Sequence, residues 1–160
     1  MVVALVVAGL GASALAACGV DVGSQRESRT TTYTINDNVS SIDANVNVGR
    51  VEVTGADVEQ VTVRETREWT KKEPTATHAV DGKSLVLRGK CPNGVGSLLK
   101  RCSVRFVVEV PRGMATKAFV DTGAVAVKSV NGPVDLQTDT GAVTMSELSG
   151  QINAKTDTGR

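Results

Sequence analysis

Asp121-Thr122-Gly123-Ala124-Val125 returns 18 residues later as Asp139-Thr140-Gly141-Ala142-Val143, and Asp157-Thr158-Gly159 opens a third copy after the same step. A fixed period of this kind marks one supersecondary unit copied and stacked, each copy burying its apolar face against its neighbours. Behind the first Asp-Thr-Gly the apolar positions alternate through Val125, Val127 and Val130, then through Val134 and Leu136 after Gly132. The second copy keeps the pattern with Val143, Met145 and Leu148, then Ile152 and Ala154 after Gly150. Alternation with a period of two, broken by two turn signals per repeat, predicts two short strands and two corners. The expected fold is all-β: a β-solenoid of short stacked strands with rungs of 18 residues. Asp bonds readily to nearby backbone and Gly accepts positive φ, so Asp121, Gly123, Asp139, Gly141, Asp157 and Gly159 read as repeat turns.

A weaker copy lies upstream. Gly49 can be laid over Gly123, Val51 over Val125 and Val53 over Val127; with one residue inserted near Val58-Glu59, Val61 and Val63 then fall on Val134 and Leu136. This reads as a degenerate early rung, drifted because a terminal unit has only one neighbour to match. Thr32-Tyr33-Thr34-Ile35 reads as a strand before a turn at Asn36-Asp37-Asn38, and Asp81-Gly82 as a tight turn before the strand Ser84-Leu85-Val86-Leu87-Arg88. Val104, Phe106, Val108 and Val110 share one face of a further strand, which Pro111 ends because proline cannot donate to a ladder. Between Glu65 and Pro74 charges of both signs alternate around Trp69, a solvated stretch whose one ring is expected to lid an open core edge.

Composition narrows the class. A chain of 160 residues allows one domain, and a net charge of +1 gives no case for a nucleic-acid partner. Aromatic residues are only 2%, so the core must be built from Val, Leu, Ile and Ala, which suits narrow stacked strands. The sequence stops at Arg160 just after the third turn with no visible cap, so the domain is expected to be truncated at its C-terminus.

Residues 1–17 carry no charge; an apolar run from Val2 to Leu10 passes into the small residues Gly11-Ala12-Ser13-Ala14. That run is too short to span a bilayer, which needs roughly 20 apolar residues, and has the layout of a secretory signal. Leu15-Ala16-Ala17-Cys18 follows and resembles the lipobox of bacterial lipoproteins. The resemblance implies a lipoprotein signal peptide over 1–17, with Cys18 acylated, by palmitate or a similar chain, as the first residue of the mature protein. It also implies attachment to the extracytoplasmic face of the cell membrane through lipid alone. Residues 18–32 are polar and aperiodic and read as a flexible tether; 33–160 is then the repeat domain.

With Cys18 assigned, Cys91 and Cys102 remain, bracketing a glycine-rich loop. In an exported protein an isolated pair at this spacing predicts a disulfide. The alternative, a metal held by both thiols and His78, has three ligands at unfamiliar spacing. No cofactor is implied. Gly82-Lys83-Ser84 matches only the end of a phosphate-binding loop, since Thr77 stands where its first glycine belongs and no helix pattern follows.

Taken together, the lipobox, degenerate strand repeats, Cys-bracketed loop, a strand ending Val108-Glu109-Val110-Pro111 and the Gly-Ala-Val rungs resemble the bacterial putative-adhesin family of β-strand-repeat proteins, over 35–160. The resemblance implies an envelope-facing β-solenoid of unknown function, with adhesion presumed and no catalytic residue to carry over. The expected function is that of an anchored binding or scaffold module whose partner is a cell-wall polymer or surface protein. A sensor of envelope stress, or a structural protein without ligand, is the alternative.

Val120-Asp121-Thr122-Gly123-Ala124 also resembles the catalytic loop of aspartic proteases, where two aspartates share one proton. Copies 18 residues apart are too close to occupy separate lobes, no flap-like hairpin precedes the motif, and no cleft is evident. The expectation is that the protein is not an enzyme.

Overall fold

The computed structural model describes residues 25–92 and 101–160; Cys18 and the segment 1–17 lie outside them. The chain is all-β. Its strands are β1 (Glu27–Ile35), β2 (Ser41–Ala56), β3 (Val61–Trp69), β4 (Thr75–Asp81), β5 (Ser84–Lys90), β6 (Cys102–Pro111), β7 (Ala115–Lys128), β8 (Val134–Ser146) and β9 (Ile152–Gly159). They form one open nine-stranded sheet in the order β1-β3-β6-β2-β7-β8-β9, with β5 paired to β2 and β4 to β5.

The 18-residue period appears directly as register. β7 and β8 run parallel with Gly123 opposite Gly141, and β8 and β9 parallel with Gly141 opposite Gly159. β2 joins the same series, parallel to β7 with Gly49 opposite Gly123, Val51 opposite Val125 and Val53 opposite Val127. The upstream alignment is therefore right as far as Val53 and wrong beyond it. Val61 and Val63 do not stack on Val134 and Leu136: they belong to β3, antiparallel to β6 with Val63 opposite Val108. Alternation reports which residues face the core and carries no information about strand direction, so the reversal after Ala56 left no trace in the pattern.

Each long strand bends at its glycine. In β2 and β7 the core takes even-numbered residues before the bend (Ile42, Ala44, Val46; Thr116, Ala118, Val120) and odd-numbered ones after it (Val51, Val53; Val125, Val127). The residue that absorbs the change of parity is Asn47 in β2, Asp121 in β7, Asp139 in β8 and Asp157 in β9: register runs on either side of it and skips it each time. Two residues on, φ is 146° at both Gly49 and Gly123, 150° at Gly141 and 141° at Gly159. A Cβ on Gly123 would stand 1.8 Å from the Gly49 carbonyl oxygen, and one on Gly141 1.6 Å from that of Gly123. The bend thus admits glycine for two reasons at once, backbone conformation and contact with the strand alongside.

The level beside β2 is built differently. β5 covers the first half of β2, with Gly89 opposite Val46, and β6 the second, with Val104 opposite Gly49. At that bend β5 ends at Lys90 and β6 begins at Cys102. Cys91 and Cys102 close the gap with a disulfide, Cα to Cα 5.9 Å. The side chain of Asn47 completes the join: its Oδ1 accepts from the Cys91 amide at 2.8 Å and its Nδ2 donates to the Cys91 carbonyl at 3.4 Å. An amide side chain does here what a neighbouring backbone does elsewhere in the sheet.

Strand β1 starts at Glu27, inside the stretch whose polar composition reads as tether, because its residues pair along β3 from Glu27–Trp69 to Ile35–Val61. From Glu27 to Thr32 both of its faces lie on solvent and so carry no apolar signal. The core cluster is made of Val, Leu and Ile, with Ala44, Ala118, Met114 and the ring of Phe106. Each Val, Leu, Ile, Met or Phe side chain, fully buried, contributes about 1.5–3 kcal/mol.

Candidate functional site

An open groove of about 470 Å³ crosses the sheet where neighbouring strands begin. Its first row is small: Ser84 of β5, Ser41 of β2 and Ala115 of β7 are register neighbours, continued by Pro133 and Gln151 just ahead of β8 and β9. The second row comes from the next outward positions of the repeats, Lys117, Asp135 and Asn153, each opposite the next. Repetition explains the groove: whatever position 117 does on one strand, 135 and 153 do on the following two. Asn153 donates from Nδ2 to Asp135 Oδ1 at 3.0 Å. Asp43 extends the row on β2, opposite Lys117, and is ion-paired to Arg88 at 3.0 Å. Half-buried Phe119 lies two residues beyond Lys117 on the same outer face, in register between Asn45 and Gln137. The lining holds donors, acceptors and carbon surface without a surplus of either charge. It can hold a ligand; it offers no nucleophile–base pair.

The repeat aspartates stand at equivalent places on neighbouring strands, but the carboxylates of Asp139 and Asp157 do not cap their own turns. Asp139 accepts from Gln137 Nε2 at 3.3 Å and Asp157 pairs with Lys155 Nζ at 3.0 Å, each using the residue two places earlier on its own strand. Among the described residues no group of three or more His, Cys, Asp and Glu side chains is placed to hold a metal.

At the opposite end of the sheet the charges between Glu65 and Pro74 are not simply solvated. Glu65 is only 5% exposed and lies 3.0 Å from Arg67 Nε; Arg67 Nη1 reaches Glu73 at 2.8 Å, and Arg29 Nη1 reaches the same carboxylate at 3.1 Å. The Arg29 guanidinium stands 6.0 Å from the ring of Trp69, itself 7% exposed. Tyr33 stacks on His78 with ring centroids 4.0 Å apart. Burial, helped by the charge of Glu65, pushes the Tyr33 phenol well above its ordinary range. On the second corner of the repeats the Ser129 hydroxyl donates to Glu147 at 2.5 Å and, with Lys128 next in weight, holds that carboxyl below its usual value. The groove itself is not evident in the sequence; its only signal is the recurrence of polar residues at outward positions 117, 135 and 153.

No protein-family model and no curated protein sequence matches this chain. Among solved structures it is similar to a putative cell adhesion protein from Clostridium sporogenes, at 8% identity over 84% of this chain and 100% of that one, with a TM-score of 0.45. A putative adhesin from Bacteroides fragilis is 15% identical over 81% of this chain and 73% of its own, with a TM-score of 0.36. One from Parabacteroides distasonis is 10% identical over 83% and 66%, with a TM-score of 0.37. Likeness this distant transfers no property to the present chain.

Proposed function

We propose that the chain is an envelope-anchored lipoprotein whose repeats form a β-solenoid, acting without catalysis as an adhesin-like binding or scaffold module at the cell surface. The observation that supports binding is the groove: repetition on parallel strands sets side chains of both hydrogen-bonding characters along one open line. A site on paired strands is held more firmly than one on loops. The anchor rests on Leu15-Ala16-Ala17-Cys18 alone. Lipid at Cys18 and an exported fold suit the Cys91–Cys102 disulfide, which persists in oxidising compartments.

Affinity capture from intact envelopes with the parent protein and with Cys18→Ser tests both parts. The parent is expected in the membrane fraction, labelled by a fatty-acid analogue, and to retain a wall polymer or surface protein. Labelling that survives Cys18→Ser removes the anchor. Capture of nothing by a folded parent leaves only a structural or sensing role.

A further inference from the structure

We infer that the groove across the strand starts takes an uncharged glycan polymer, laid along the stacking direction so that successive sugars meet successive strands. The inference rests on the binding-module reading above and names the class of its ligand. Shape is the first ground. The groove runs from β5 through β2, β7 and β8 to β9, and at about 4.8 Å between neighbours those levels span roughly 19 Å. It is open along its length, so it suits a thin extended chain better than a compact molecule, which would bury little of its surface there.

Chemistry is the second ground. Ser41, Ser84, Gln151 and Asn153 each carry a donor and an acceptor. The two charges beside them, Lys117 and Asp135, are register neighbours of opposite sign. A sugar hydroxyl needs both a donor and an acceptor, and this lining carries both. A phosphate-rich or carboxylate-rich polymer would need surplus cations, and the nearby Arg88 is already committed to Asp43. Periodicity is the third. The same outward position recurs at every strand, and the residue-to-residue step of an extended glycan is close to the strand spacing, so one contact made well can be made again on the next level. Phe119 adds a half-buried ring on the same face, against which the C–H side of a sugar can lie.

Native electrophoresis of the full chain through gels containing hydroxyethyl cellulose, glycol chitin or dextran tests this, with polygalacturonate as the anionic control. At least one neutral polymer is expected to retard the parent, and polygalacturonate is not. Asp135→Ala with Asn153→Ala removes two polar contacts from an exposed row and should weaken the retardation roughly tenfold. Ala115→Trp, which fills the floor, should abolish it; thermal melts of each variant establish that it is folded, and the exposed double change decides the matter if Ala115→Trp is not. Retardation that survives these changes in folded protein, or equal retardation by polygalacturonate, overturns the inference. A parent that captures a surface protein from envelopes yet ignores every neutral polymer refutes the glycan and leaves the binding reading standing. One that captures neither refutes both.

Discussion

Replacing Gly123 by alanine tests the bend that the whole repeat depends on. Its φ of 146° is one that residues with a Cβ rarely adopt, and holding such a residue there costs of order 1–3 kcal/mol. The added Cβ would stand 1.8 Å from the Gly49 carbonyl oxygen, so β2 and β7 must part by about 1.2 Å to reach even the 3.0 Å floor of real contacts. That movement loosens one or two ladder hydrogen bonds beside the bend, each about 1 kcal/mol net. Together the two effects destabilise by about 2–5 kcal/mol, a large share of the 5–15 kcal/mol that holds a typical domain. At roughly 2–4 °C per kcal/mol for a chain of this size, the midpoint of thermal unfolding should fall by about 4–20 °C. Gly82→Ala is the control: its φ is 58° and nothing lies within 4 Å of the added carbon, so it should cost about 1–2 kcal/mol. Melts followed by circular dichroism compare the two. A Gly123→Ala protein as stable as Gly82→Ala would refute the stacked bend.

Cys91→Ser should destabilise by about 3 kcal/mol at most, since the loop it closes is short; the parent melted in reductant should match it, and an unchanged midpoint would show that Asn47 alone joins the bend. Tyr33 is the only tyrosine, so the phenolate absorbance reports one group. Its raised pKa means the folded state favours the neutral phenol; that stability is intact below the ordinary value of about 10 and is lost as pH climbs beyond it. Ionisation should therefore coincide with alkaline unfolding, and a phenol that titrates near its ordinary value in folded protein would contradict the burial. Arg67→Met leaves the buried Glu65 carboxylate without its nearest cation and should cost about 3 kcal/mol in denaturant melts. Adding Glu65→Leu should recover most of that; a single change with no effect would show that the cluster is solvated after all.

Legibility in the sequence followed repetition. Three near-identical copies make Asp121, Asp139 and Asp157 equivalent by spacing alone, and β7, β8 and β9 pair in that register. The match of Gly49 to Gly123 survived for a steric reason: a glycine is required wherever the bend passes close to its neighbour, however far the rest has drifted. Direction was illegible. Val61 and Val63 alternate as well in an antiparallel strand as in a parallel one, so the reversal into β3 could not be read from them. The end of β1 was legible in Thr32-Tyr33-Thr34-Ile35, but its start from Glu27 was hidden because those residues are exposed, and only the pairing with β3 reveals it. The partner of Asp139 was hidden too, because Gln137, two residues earlier, points outward beside it only once the strand is extended. The groove was illegible for a related cause. It is made of ordinary polar residues that acquire meaning only when positions 117, 135 and 153 are set side by side.

That juxtaposition can be measured directly. In a Cys18→Ser background, cysteines placed at Lys117 and Asp135 sit on neighbouring strands in register, at about 4.8 Å, within the Cα separation that a disulfide spans. Mild oxidation followed by mass spectrometry is expected to show a second intrachain bridge beside Cys91–Cys102. The offset pair, Lys117→Cys with Gln137→Cys, stands roughly 8 Å apart on the same geometry and should stay open. Closure of the offset pair, with 117 and 135 left as free thiols, would contradict the 18-residue register and the groove built on it.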